Sequence, residues 1–293
     1  MKKIIFAAVA LVAALSASAG GGHYVPGVEG MQAASVPPPG TYYLGYLVDY
    51  NIEKLKAPGS STDIPGNNTG TVVALANRLV WISNTKFLGA DFGMETIIPM
   101  VSTSLTFNTP GISETQSGIG DVYLGPVVLG WHGASWDAVA AAGVWVDSGA
   151  SQGAAAPGNG YKSTMLTAGA TYYFDSAKTF SASALMRFES NSEKAGGFKP
   201  GNQTTLEWGI GKMLQTVQVG VVGYDQVQTT DDSGPGATTD RSSRHAIGAE
   251  VVYPIMSAGV FLKAAAYREY RSDAGSGPET QGNLLRFTLV KAF

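Results

Sequence analysis

Leu284-Leu285-Arg286-Phe287-Thr288-Leu289-Val290-Lys291-Ala292-Phe293 is the stretch on which the fold of this chain is read. With a period of two, Leu285, Phe287, Leu289 and Phe293 share one face, interrupted only by Lys291. The other face carries Leu284, Arg286, Thr288, Val290 and Ala292, smaller and more polar. Successive side chains of a strand point to opposite sides, so this alternation signals a strand, and its length suits a tilted strand crossing a bilayer. The closing strand of a soluble sandwich would alternate in the same way, so the rest of the chain has to discriminate.

Working outward, the same texture recurs from Thr41 to the end. Tyr42, Leu44, Tyr46, Val48 and Tyr50 alternate with Tyr43, Gly45, Asp49 and Asn51. Val73, Leu75, Leu79 and Trp81 alternate with Ala74, Ala76 and Arg78, and Phe180, Ala182, Ala184, Met186 and Phe188 with Ser181, Ser183, Arg187 and Glu189. Leu206, Trp208 and Ile210, then Ile247, Ala249, Val251 and Tyr253, repeat the pattern. Long polar connections fall near 56–70, 108–118, 149–161, 191–202, 229–243 and 272–281, and short ones near 83–86, 131–135, 174–178, 213–216 and 254–258. Six long and five short connections predict about twelve strands, with both ends of the sheet on the short-turn side. An even strand number, long loops on one side and short turns on the other describe an all-β transmembrane barrel, antiparallel and up-and-down. Tyr42 with Tyr50, and Phe180 with Phe188, sit eight residues apart on one face, the separation expected of two aromatic girdles.

The start of the chain reads differently. Lys2 and Lys3, an apolar run from Ile4 to Leu15 and Ala17-Ser18-Ala19 make a secretory signal peptide over 1–19. Residues 20–39, with Val25-Pro26-Gly27 and Pro37-Pro38-Pro39-Gly40, carry too much Pro and Gly to pair in a ladder. This segment is read either as a loose periplasmic leader or as a plug folded into the barrel that spans 40–293. Without the signal, 17 basic residues face 22 acidic ones, a net charge of −5 that excludes a nucleic-acid binder. There is no cysteine, and no apolar run after the signal is long enough for a spanning helix.

Charge on the lipid face of a barrel costs about 2–4 kcal/mol at the midplane for Arg or Lys, so strand charges are expected to point inward. By parity the inward set includes Asp49, Arg78, Asp91, Glu95, Asp121, Arg187, Glu207, Glu250, Lys263, Glu269, Arg271 and Arg286. The rings expected among them are Tyr43, Tyr123, Trp145, Tyr173, Tyr224 and Tyr267, with Gln226 nearby. Aromatic rings offer a flat apolar surface with a polar edge, so they either line a path for a flat solute or fill the bore. The path is placed on Tyr43, Arg78, Glu95, Tyr123, Arg187, Glu207, Tyr224, Gln226, Glu250, Tyr267 and Arg286. Catalysis finds little support: Ser243, His245 and Glu250 are close in sequence, but parity puts His245 and Glu250 on opposite faces. Asp231, Asp232, Ser233 and Asp240 lack the spacing of a calcium loop, and no metal or cofactor is expected.

Two resemblances complete the reading. An aromatic residue at the end of the last strand resembles bacterial outer-membrane barrels, in which it forms part of the assembly signal; Lys291 departs from the apolar residue usual two places earlier. That resemblance implies the barrel assembly machinery and outer-membrane lipid as partners of this chain, with Phe293 as the signal. His23-Tyr24-Val25-Pro26-Gly27-Val28-Glu29-Gly30, Gly118-Ile119-Gly120-Asp121 and Tyr224-Asp225-Gln226-Val227-Gln228-Thr229-Thr230-Asp231 resemble the outer-membrane transporter family of the meta-pathway of phenol degradation. The resemblance implies an energy-independent channel in the outer membrane of a Gram-negative bacterium for small hydrophobic or aromatic solutes. A closed structural or adhesive barrel acting through its loops, and an outer-membrane lipid-modifying enzyme, are the competing readings.

Overall fold

The computed structural model describes residues 22–293, and the signal peptide expected over 1–19 lies outside the described residues. The alternating stretches form β1 (Gly40–Lys56), β2 (Asn68–Phe87), β3 (Ala90–Phe107), β4 (Ile112–Ile119), β5 (Val122–His132), β6 (Trp136–Val146) and β7 (Ser163–Tyr173). They continue as β8 (Phe180–Asn191), β9 (Gln203–Leu214), β10 (Val217–Gln228), β11 (Ser243–Ile255), β12 (Val260–Asp273) and β13 (Glu279–Ala292). All pairings are antiparallel. The β1–β13 ladder closes the sheet, giving a twelve-strand barrel with β4 as an additional strand.

β4 occupies a stretch expected to be loop. Ile112–Ile119 pairs with the upper half of β3 while β5 pairs with the lower half, so β4 and β5 share one long neighbour. Cross-strand hydroxyl pairs, Ser104 with Thr115 at 2.9 Å and Ser117 with Ser102 at 2.8 Å, stabilise this polar ladder beyond the membrane, where apolar alternation is not needed. At the opposite end, β2 and β3 are joined by Leu88 and Gly89, with φ of 52° and 77°. Two left-handed residues in succession match the twist of the flanking strands, which is why the turn is this tight and uses glycine.

The outer surface is the apolar one. Leu75, Leu79, Trp81, Met94, Met186, Ile210, Phe287 and Leu289 are all exposed and point away from the axis. In water an apolar surface of this extent would be unstable; against acyl chains it is the required solvent match.

β1 departs from the expectation. Tyr46, Val48 and Tyr50 are buried inside, whereas Tyr43, Leu47 and Asp49 face outward. The register decides it: Leu47 lies opposite Leu75 and Phe287, Tyr43 opposite Leu79, and Asp49 opposite Val73 and Leu285, all lipid-side residues. β1 carries apolar residues on both faces, and its more aromatic face packs into the lumen. Tyr43 therefore does not belong to an inward path; its hydroxyl donates to Asn77 Oδ1 at 2.8 Å on the outer face. Tyr42 and Tyr50 likewise form no outer girdle. Arg271 is also outward, because a bulge opposite His245 and Ala246 breaks the parity of β12 before it.

Candidate functional site

Residues 22–36 lie against the inner wall of the barrel along most of its length. His23 is at the long-loop end, beside Tyr161, Ser163 and Asn191; Val36 is near the short-turn end, packed with Val80, Ile82 and Val128. A segment with this much Pro and Gly cannot pair as a strand, so its backbone groups need partners from side chains. The wall supplies them. Glu189 accepts from the N–H groups of His23 and Tyr24, both at 2.9 Å; Glu207 from Glu29 N at 3.1 Å; Glu250 from Met31 N at 2.6 Å. Arg286 donates Nη1 to the carbonyls of Gly27 (3.1 Å) and Val28 (2.5 Å), and Ser183 Oγ donates to Met31 O at 2.8 Å.

Small residues make room for the segment. A Cβ on Gly209 would stand 2.8 Å from Met31 Cα, and one on Gly130 would stand 2.6 Å from Val36 Cβ. Gly27, at φ of 87°, lies over the rings of Tyr224 and Tyr267, whose centroids are 5.6 Å apart.

Charge is concentrated at mid-depth. Glu29 Oε1 receives Arg187 Nη2 at 2.6 Å and Arg78 Nη1 at 3.0 Å, and Arg78 Nε also donates to Glu95 at 2.7 Å. The Glu29 carboxylate is thus shared between two guanidinium groups. Arg286 is fully buried and pairs with Glu250. The Arg187 guanidinium also covers the Tyr24 ring at 4.1 Å.

A second charged group ties down the upper end. His23 Nε2 is 3.2 Å from Asp121 and Nδ1 is 3.6 Å from Glu189. Burial lowers the imidazole pKa, but hydrogen bonds to the two carboxylates more than reverse this and leave it raised. Burial raises the Asp121 carboxyl, and hydrogen bonds from His23 and from the N–H groups of Asn159 and Gly149 pull it below its usual value.

Beside the segment lies a cavity of about 180 Å³, mostly apolar, bounded by Tyr24, Val28, Tyr46, Val48, Tyr50, Ile97, Val101, Trp145 and Leu284. Glu29 and Arg78 are its charged lining at mid-depth.

Among the residues predicted from sequence, Arg78, Glu95, Tyr123, Arg187, Glu207, Tyr224, Gln226, Glu250, Tyr267 and Arg286 all face the interior. Glu95, Arg78 and Arg187 meet around Glu29, and Glu250 meets Arg286. Tyr224 points instead to Glu269, at 2.8 Å from its hydroxyl. Sequence reasoning missed Tyr46, Tyr50 and the segment's own His23 and Glu29 as lumen groups. The available signal for the last two was their place beside Tyr24 and Val28 in a segment too rich in Pro and Gly to pair as a strand. Ser243, His245 and Glu250 are not brought together: His245 binds Asp225 at 2.6 Å on the outer face and Ser243 binds Asp273. Among the described residues no group of three or more His, Cys, Asp or Glu is arranged to hold a metal.

The family model described as "Putative MetA-pathway of phenol degradation" matches residues 56–287. The chain belongs to this family. The phenol-degradation family model thus spans nearly the whole barrel and begins after the inner segment. Among solved structures, an outer membrane channel from Pseudomonas putida F1 is similar, at 13% identity and a TM-score of 0.77 over 92% of this chain and 100% of that one. The β domain of the Bordetella autotransporter BrkA is similar at 12% identity and a TM-score of 0.51, over 87% of this chain and 100% of that one. No curated protein matches the sequence. This member of the phenol-degradation family has the closed β-barrel fold of those structures.

Proposed function

We propose that the barrel is an outer-membrane channel for passive uptake of small hydrophobic or aromatic compounds, and that residues 22–39 are the plug that controls it. The observation that carries this reading is the cavity beside the segment. At about 180 Å³ it is close to the ~150 Å³ apolar cavity that binds benzene, and it is walled by rings and aliphatic side chains. The phenol-degradation family and the similarity to an outer membrane channel support the same reading.

The path runs along the inner residues Arg78, Glu95, Tyr123, Arg187, Glu207, Tyr224, Gln226, Glu250, Tyr267 and Arg286, most of which hold the segment in this structure. Binding along it is weak, because a passive route needs release as well as entry.

The test is reconstitution of the mature chain, and of the chain lacking residues 22–39, in planar bilayers and in liposomes. Deletion raises conductance, and a small aromatic alcohol permeates faster than a sugar of similar size. Equal rates for both solutes reduce the protein to a general porin. No permeation with or without the segment leaves a closed barrel acting through its loops.

A further inference from the structure

Four bases and four acids face one another at mid-depth: Arg78, Arg187, Lys263 and Arg286 against Glu29, Glu95, Glu207 and Glu250. Three of the acids belong to the wall and the fourth, Glu29, to the inner segment. Without Glu29 the wall carries an uncompensated positive charge. It falls on Arg187, whose one ion pair among the described residues is to Glu29. Even with Glu29 in place, Arg187 Nε and Nη1 are buried without a hydrogen-bond partner.

The neighbouring unpaired groups can each donate as well. Tyr123 Oη and Trp145 Nε1 are buried and also lack partners, and their rings pack 5.0 Å apart. Indole N–H is a donor only, and a guanidinium has no acceptor. Trp145 borders the mostly apolar cavity, whose ionisable lining is Arg78 and Glu29 at mid-depth together with His23, Asp121 and Arg244. The wall therefore presents spare donors and spare positive charge next to a ring-sized apolar space. A buried donor left unpaired costs about 1–3 kcal/mol, so such a group favours a ligand that brings an acceptor.

We propose that Arg78 and Arg187, with Trp145 and Tyr123, form a binding site for an aromatic carboxylate, and that the chain's own Glu29 occupies it in this structure. Glu29 provides the carboxylate and Tyr24 and Val28 the apolar body, so the segment imitates the ligand it excludes. Arg pairs with carboxylate through a planar fork, which Glu29 engages at one oxygen only. A free ligand carboxylate can align with that fork without the constraint of a tethered backbone. Docking of the segment and binding of the ligand are then mutually exclusive, and each weakens the other by the same factor. This inference rests on the channel reading and narrows its solutes to aromatic acids.

Calorimetric titration of the purified, full mature chain tests it, with benzoate as the probe and benzyl alcohol as its neutral counterpart. In Glu29→Gln, benzoate binds at least tenfold tighter than in the parent, and benzyl alcohol changes less than twofold. Adding Arg187→Gln to Glu29→Gln removes the gain, with folding checked by the gel shift between unboiled and boiled samples. Equal affinity for the two probes in Glu29→Gln overturns the proposal, and that comparison needs no arginine variant. A gain that survives Arg187→Gln in a folded barrel also overturns it. Binding is measured here without transport, so benzoate binding in a barrel that passes no solute sinks the channel reading and leaves the site standing.

Discussion

Replacing Arg286 by Met should free the inner segment by about two orders of magnitude. Arg286 holds the segment through two hydrogen bonds, from Nη1 to the carbonyls of Gly27 and Val28. Hydrogen bonds to a charged group contribute about 1.5–3 kcal/mol each. Water admitted to the lumen recovers part of this, so the lower end applies and the pair contributes about 3 kcal/mol. At 1.4 kcal/mol per tenfold, docking weakens by roughly 100-fold. The substitution also strips Glu250 of its charge partner, a buried-charge penalty of about 3–5 kcal/mol that differs between the two states, because Met31 N donates to Glu250 only when the segment is docked. A Glu250→Gln background removes that penalty and isolates the two carbonyl contacts.

The chain has no cysteine, so Met31→Cys introduces a single thiol at a position that is 1% exposed. When redocking is faster than labelling, the rate of maleimide labelling reports the undocked fraction. Labelling should therefore accelerate roughly 100-fold on adding Arg286→Met to Met31→Cys/Glu250→Gln. A rate within threefold of the parent, in a barrel that still migrates faster unboiled, would refute the reading that the two Arg286 hydrogen bonds help to hold the segment.

The same thiol reads two further perturbations. Docked His23 has a pKa raised above 6.5 and lies between Asp121 and Glu189, so its stabilisation is complete below 6.5 and fades as pH rises through the raised value. Asp121 is shifted the other way, so its contribution holds above 3.8 and is lost as pH falls through its lowered value. Labelling, corrected by a free-thiol control, should thus be slowest in mildly acidic buffer and rise on the alkaline side; His23→Gln should abolish that rise. In Gly209→Ala the new Cβ would meet Met31 Cα at 2.8 Å, a backbone atom that cannot rotate away, so labelling should increase at least tenfold with the barrel's gel shift unchanged.

Much of the barrel was legible from residue order. Period-two alternation with one apolar face is a local property of each strand, and in a membrane that face is set by the solvent; Leu285, Phe287 and Leu289 could be placed outward without knowing any neighbour. Loop lengths ordered the strands, and the cost of a charge in lipid put Arg78, Arg187, Glu207 and Arg286 inside. Where both faces of a strand are apolar this reasoning has no purchase, and β1 shows it: only pairing with β2 and β13 turned Tyr46 and Tyr50 inward and Tyr43 outward. A bulge had the same effect on Arg271, because one extra residue inverts every parity beyond it. The course of the Pro-Gly segment was beyond sequence altogether. Several of its contacts join residues more than 150 positions apart, such as Glu29 with Arg187 and Met31 with Glu250, and no local pattern encodes such a pairing. Sequence determined which residues would avoid lipid; the closed barrel decided which of them would meet, since only closure brings distant strands around one axis.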